Sequence, residues 1–170
     1  MKIAIISDTH DNMANLEKFL AQFVGPASAG GSGEAKGIIH CGDVTTPETL
    51  EWLAENFAGP IKLADGNAEI RREEFAEVAG RHDNLEIFPE VGEWEIGEKN
   101  FAFLHKPDKT EELAQTGQYS FVFYGHTHKP WISQLGSTLI ANPGTLGGVF
   151  TAPTYAILDT ETGHLALHRL

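Results

Sequence analysis

KIAIISDTHDNMANLEKFLAQFV, residues 2–24, is the stretch from which the fold is read. Residues 2–7 form a short apolar run that stops at Ser7 and Asp8, the pattern of a buried strand. Residues 12–24 then place Met13, Leu16, Phe19, Leu20 and Phe23 at helical spacing, with Asn12 as the expected N-cap. The unit is strand, polar turn, helix, and it recurs twice. IIH (38–40) leads into Gly42-Asp43 and a helix over 47–57, opened by Pro47 and carrying Leu50, Leu53 and Phe57 on one face. IKLA (61–64) ends at Asp65-Gly66-Asn67 and precedes a helix from Glu69 to about Ala79. Residues 25–37, rich in Gly, Ser and Ala, are expected to be a flexible loop. Three such β-α units predict a parallel α/β arrangement.

Beyond residue 90 the pattern changes. Strands are expected at 92–96, 99–104, 119–124, 131–135, 137–141, 154–159 and 163–169, with one short helix near 109–116. The two halves are read as two sheets of one domain spanning residues 1–170, with helices outside.

Charge and composition narrow the function classes. The net charge is −12, from 24 acids and 12 bases, and arginine occurs only at 71, 72, 81 and 169. Nucleic-acid backbones are bound by clustered Lys and Arg, so no nucleic-acid partner is expected. The N-terminal apolar run is too short for a signal peptide, and no run approaches the ~20 residues of a membrane span. A single cysteine, Cys41, rules out an internal disulfide. A cytoplasmic protein without a membrane partner is expected.

The polar residues after the strands carry the chemistry. Asp8 and His10 follow the first strand, Asp43 the second and Asn67 the third. His105 follows the run 101–104, and His126 and His128 follow 121–124. Ligands of open α/β sheets bind beyond the carboxyl ends of strands. Carboxylate, imidazole and one amide, without thiolate, suit Mn, Fe, Ni, Co or Zn. Seven ligands are too many for one such ion, but they serve two if a carboxylate bridges, and Asp43 is the candidate bridge. Two metals about 3.5–4 Å apart can hold a hydroxide and clamp a phosphate opposite it.

SDTHDN (7–12), CGDV (41–44), DGNAE (65–69), LH (104–105), GHTH (125–128) and NPGT (142–145) together resemble the calcineurin-like metallophosphoesterase superfamily, in particular its small bacterial and archaeal phosphodiesterases. The resemblance implies a four-layer α/β/β/α sandwich of two mixed β-sheets flanked by helices. It implies one metal held by Asp8, His10, Asp43 and His128, and a second held by Asp43, Asn67, His105 and His126. The implied activity is phosphoester hydrolysis supported by Mn²⁺ or Ni²⁺, with a small phosphodiester as the leading substrate and the bridging hydroxide attacking phosphorus in line. No side chain is assigned as a catalytic nucleophile. Asn67 and Lys106 are the candidate substrate contacts. Relatives form dimers or larger assemblies, so a homo-oligomer is compatible with the resemblance.

Two positions depart from the family pattern. Many members have a histidine after the metal-binding asparagine, where this chain has Ala68; small phosphodiesterases often lack it too. Small relatives often read His-Gly-His where this chain has His105-Lys106-Pro107-Asp108. Two other functions compete. One is a non-catalytic metal-bearing interaction module like the superfamily's small retromer subunit, which has lost part of its ligand set. The other is a nuclease, against which the acidic balance weighs. His40 is read either as a packed strand residue or as a support for a metal ligand. Asn142 is read either as a turn residue or as an anchor for the 126–128 loop. His82, His164 and His168 are expected to face solvent, and Trp52 to lie in the core. For Trp94 and Trp131, packing and substrate stacking stay open.

Overall fold

The computed structural model describes residues 1–23 and 35–170. The expected loop at 25–37 lies outside the described residues up to Ser32-Gly33-Glu34, and so does Val24. Strands β1 (Lys2–Ile6), β2 (Gly37–His40), β3 (Ile61–Ala64) and β4 (Leu85–Phe88) run parallel. Helices α1 (Met13–Leu20), α2 (Pro47–Asn56) and α3 (Arg72–Arg81) connect them. Then come β5 (Val91–Ile96), β6 (Lys99–Leu104), a 3₁₀ turn at 107–109, α4 (Thr110–Gln115), β7 (Phe121–Phe123), β8 (Trp131–Leu135), β9 (Thr138–Asn142), β10 (Thr154–Asp159) and β11 (Leu165–Arg169). The first sheet has the order β11-β10-β1-β2-β3-β4, and the second β5-β6-β7-β9-β8. Both are mixed. β10 runs antiparallel to β1, whereas β6, β7 and β9 are mutually parallel and are flanked by antiparallel β5 and β8.

Strand alternation assigns each side chain to a layer. In β1, Ala4 and Ile6 face the helices and pack with Leu16, Phe19, Leu50 and Leu53. Ile3 and Ile5 face the other way, against Phe101, Phe103, Phe121 and Phe123 of the second sheet. The outer face of that second sheet carries Ala102, Leu104, Val122 and Ile140, covered by Ala114 of α4. The result is the expected helix–sheet–sheet–helix sandwich. Trp52 packs at the margin of the helix-side core, and Trp94 packs beneath Lys62 and against Gly37. Trp131 is 55% exposed.

Three readings need correction. β4 is an additional strand at residues 85–88. It closes the edge of the first sheet by pairing Ile61–Ala64 with Leu85–Phe88. Helix α3 begins at Arg72 rather than Glu69, because the Glu69 carboxylate is spent inside the preceding loop. Helix α1 ends at Leu20 and is followed by a turn through Phe23. Its N-cap is Asn12, whose side chain accepts from the Asn15 N–H at 3.2 Å, as expected.

Phe103 locks the two sheets together. It is fully buried and meets Phe88 edge-on at 5.2 Å, and a side chain at the facing Gly92 would overlap its ring. We expect Phe103→Ala to lower unfolding free energy by about 3–5 kcal/mol, read as a fall in the denaturant midpoint. An unchanged midpoint would mean that Phe103 does not join the sheets.

Candidate metal centre

The carboxyl ends of β1, β2 and β3 and those of β6 and β7 meet at one end of the sandwich. Backbone bonds continue past the strands: Asp8 N–H donates to Gly42 O at 2.9 Å, His10 N–H to Asp43 O at 3.0 Å and Gly125 N–H to His105 O at 3.0 Å. The chain then turns sharply. Asp8, His10, Asp43, His126 and His128 all have left-handed backbone, with φ between 45° and 66°. Asp8 and His10 thus reach one point through successive left-handed turns rather than through the extended i, i+2 alternation their spacing suggests. Such conformations cost on the order of 1–3 kcal/mol each in non-glycine residues and persist only where surrounding bonds hold them. Here Thr145 Oγ1 donates to Asp8 O at 2.8 Å, Gly147 N–H donates to the same oxygen at 3.0 Å, and Leu146 N–H donates to Ser7 O at 2.9 Å.

Two glycines make room for this convergence. A Cβ on Gly125 would stand 1.9 Å from Ser7 Oγ, and one on Gly66 would stand 2.3 Å from Asp43 Oδ1. Neither position tolerates a side chain without displacing a carboxylate loop.

All seven expected ligands lie together, in two groups. In the first, His128 Nε2 stands 3.1 Å from Asp8 Oδ1 and 3.2 Å from His10 Nε2, with His10 Nε2 3.8 Å from Asp43 Oδ2. In the second, His105 Nε2 lies 3.4 Å from Asp43 Oδ1, 3.0 Å from Asn67 Oδ1 and 3.1 Å from His126 Nδ1. Asp43 is common to both and turns one oxygen to each. Oδ1 also accepts the Ala68 N–H at 2.9 Å.

The donor chemistry fits divalent cations. Asp8 Oδ1 is buried with no hydrogen-bond donor, while Oδ2 accepts the His126 N–H at 3.0 Å. Burial pushes the Asp8 carboxyl up to about 6, against the downward pull of the Ser7 hydroxyl and His128. Burial likewise lowers the pKa of His10 and His105, which favours neutral rings with a free lone pair. His105 donates from Nδ1 to Cys41 O at 2.8 Å and His128 from Nδ1 to Val149 O at 3.2 Å, which turns Nε2 of each toward the carboxylates. A backbone carbonyl holding the far nitrogen is the usual support for a metal-bound imidazole. Unprotonated nitrogens and carboxylate oxygens this close repel one another unless a cation lies among them.

Three supporting residues complete the centre. Glu69 is 1% exposed and accepts from the Val44 N–H and, at 2.8 Å, from the Gly66 N–H. It thereby ties the Asp43 loop to the Asn67 loop, and burial raises its carboxyl to about 7. Sequence reading counted it as a helix residue; its place in the DGNAE motif was the available signal. His40 is fully buried. Its Nδ1 accepts from the Gly42 N–H at 3.2 Å, so Nε2 carries the proton and donates to Thr9 Oγ1 at 2.6 Å. Burial lowers its pKa to about 3, and the neutral ring couples the first two ligand loops. Asn142 fills both of its expected roles. It accepts from the Gly144 N–H at 2.7 Å within the turn, and it donates to Gly125 O at 2.8 Å and to Thr127 Oγ1 at 3.0 Å.

Lys106 is exposed and lines a cleft of about 290 Å³ with Asn67, His105 and Arg72. The remaining histidines lie away from the centre. His164 is exposed as expected, but His82 is half-buried with Nε2 2.9 Å from Glu51, and His168 stacks on Tyr155 at 5.2 Å.

Comparison with known proteins agrees with this geometry. A family model described as the calcineurin-like phosphoesterase superfamily domain matches residues 1–163. Over 164 residues the chain is 31% identical to a phosphodiesterase of Methanocaldococcus jannaschii, covering 95% of this chain and 94% of that one. It is 28% identical over 152 residues to a probable metallophosphoesterase of Methanothermobacter thermautotrophicus, covering 85% and 77%. A solved archaeal phosphodiesterase superposes with a TM-score of 0.87 over the full length of both chains, at 29% identity. Vacuolar protein sorting 29 from Cryptosporidium parvum superposes with a TM-score of 0.65 at 18% identity, covering 99% and 97%, a likeness of fold alone. Matched along nearly its whole length by the family model, and sharing sequence and fold with archaeal phosphodiesterases, the chain belongs to the calcineurin-like phosphoesterase superfamily.

Proposed function

We propose that this protein is a phosphodiesterase that uses two divalent cations, Mn²⁺ or Ni²⁺ first among them, on small phosphoester substrates. The observation that carries the reading is the Asp43 carboxylate, which turns one oxygen to each ligand group. Asp8, His10, His128 and Asp43 Oδ2 would hold one cation; Asn67, His105, His126 and Asp43 Oδ1 would hold the other. When bound, such a pair supplies an activated water and a clamp for the phosphoryl oxygens. The chain's own part is to keep His10 and His105 neutral by burial, to hold the ligand loops in their left-handed turns and to offer Lys106 and Asn67 to the substrate's anionic oxygens.

The relatives described as phosphodiesterases favour a diester. Asp8, Asp11, Asp43, Asp65 and Glu69 crowd the centre, and the chain carries −12 overall. Arg72 is paired with Asp65 at 3.1 Å, and Lys109 with Glu90 at 2.5 Å. Among the described residues Lys106 has no ion pair. Ala68 has no proton to give, so esters whose leaving groups depart without one are favoured. Elsewhere Arg71, Arg81 and Lys62 are paired with Glu48, Glu51 and Glu86, which takes three cations from any surface a nucleic acid could use. No helix among the described residues is long and apolar enough to cross a membrane. The free, buried Cys41 is consistent with the cytoplasm. A complete ligand set favours catalysis over the interaction-module reading.

Two tests follow. Purified protein should bind about two Mn²⁺ per chain and hydrolyse bis-p-nitrophenyl phosphate faster than p-nitrophenyl phosphate. Asp43→Asn should lose metal and turnover while keeping its circular-dichroism spectrum. Near-wild-type rates in that variant would remove Asp43 from the centre. The second test concerns pH. Without metal, the folded chain keeps a proton on Asp8 up to about pH 6, whereas the unfolded chain releases it near 3.8. The folded state therefore binds more protons within that window, and this group's contribution to stability falls as pH rises through it. A cation cancels that penalty but must displace the proton. The rise in Tm on adding Mn²⁺ to chelator-treated protein should thus be large near pH 8 and shrink as pH falls through about 6. A pH-independent rise would argue that Asp8 is not a ligand.

A further inference from the structure

Phe150 is 93% exposed, and its backbone is left-handed with φ 66°. Each fact alone is uncommon for a bulky aromatic residue, and neither serves folding. The segment around it is nonetheless firmly held. Val149 O accepts from His128 Nδ1 at 3.2 Å, and Thr151 Oγ1 donates to His128 O at 2.9 Å. Gly147 O accepts from Asn12 Nδ2 at 2.8 Å, and Leu146 is fully buried. A rigid loop thus presents an uncovered ring at a fixed place. That place is the His128 imidazole, with ring centroids 5.7 Å apart and planes inclined by 30°.

The rest of the centre is polar, and an exposed lysine follows a histidine of each group, Lys106 after His105 and Lys129 after His128. Lys106 follows His105, in the second ligand group, whereas Phe150 stacks on His128, in the first. A phosphoester seated between the groups would have an ammonium on one side and an aromatic face on the other. Stacking on such a face is sequence-tolerant and requires only a planar π system in the ligand.

We infer that Phe150 is a specificity-determining residue, which stacks a planar aromatic group esterified to the phosphate held at the metal centre. The inference rests on the phosphodiesterase reading for its substrate but not for its test. Mn²⁺-loaded protein is titrated calorimetrically with phenylphosphonate and with methylphosphonate, neither of which can be hydrolysed. Wild-type protein should prefer the phenyl probe by about tenfold, within the range of one aromatic stacking contact. In Phe150→Ala the preference should collapse towards one with Mn²⁺ stoichiometry unchanged, and Phe150→Tyr should restore it. Turnover of methyl p-nitrophenyl phosphate, whose only ring is the aryl ester, and of thymidine 5′-(p-nitrophenyl phosphate) then separates the sources: a KM rise in Phe150→Ala for both points to an aryl ester, and one for the thymidine ester alone to a nucleoside. Equal affinity of the wild-type protein for the two phosphonates overturns the inference, as does a preference that survives in Phe150→Ala. A preference of the expected size without turnover of any ester supports the stacking role and overturns the phosphodiesterase reading instead.

Discussion

Two carboxylates, Asp8 and Asp43, are 0% and 3% exposed where the two sheets meet. Burial of ionised carboxylates is costly unless charge of opposite sign is at hand. Among the described residues little answers that charge: burial disfavours the charged form of His10 and His105, and Arg72 and Lys109 are tied to other acids. The rest of the centre follows from this one constraint. The backbone accepts left-handed turns at five ligand positions, glycine stands where a Cβ would push a carboxylate aside, and Glu69 adds a further buried acid to fasten two loops.

The sandwich explains how so unfavourable a cluster is tolerated. Apolar packing between the sheets, dominated by Phe101, Phe103, Phe121 and Phe123, lies behind the site and does not depend on it. Helices α1 to α3 cover the opposite face of the first sheet with a separate apolar layer. The polar loops are the continuation of strands already fixed at both faces. The strain sits in a few residues at the ends of a rigid frame, the usual place for residues held ready for ligands.

Much of this was legible in the sequence. The first three strands are short apolar runs broken by Asp, Gly or Asn, and each is followed by helical spacing, so strand, turn and helix are marked by residue type. The seven candidate ligands, which the structure brings together, were legible because each follows such a run. β4 was not: LEIF is four residues long, carries Glu86 in the middle and lies at a sheet edge, where the pattern of burial is weak. The start of α3 was misplaced because Glu69 suits a helix by propensity and is claimed instead by two backbone donors that only the tertiary fold brings near. His82 is partly covered by Glu51, which lies 31 residues before it, and His168 by Tyr155, its partner on the neighbouring strand β10. Phe150 lies in a run of glycine, valine and threonine with no periodicity, and its exposure and φ are properties of the folded loop alone.

The strand order has a consequence for synthesis. β1 is made before the other ten strands described, yet in the finished sheet it lies between β2 and β10, and β10 follows it by about 150 residues. Until residues 154–159 have been made, one edge of β1 has no partner, and unpaired edges invite pairing with other chains. The same delay applies to Asp8, whose neighbours His126 and His128 are made more than a hundred residues later. A nascent chain can therefore hold neither its central strand nor its metal centre closed. An ion shared by Asp8 and His128 can be seated only after residues 126–128 have been made.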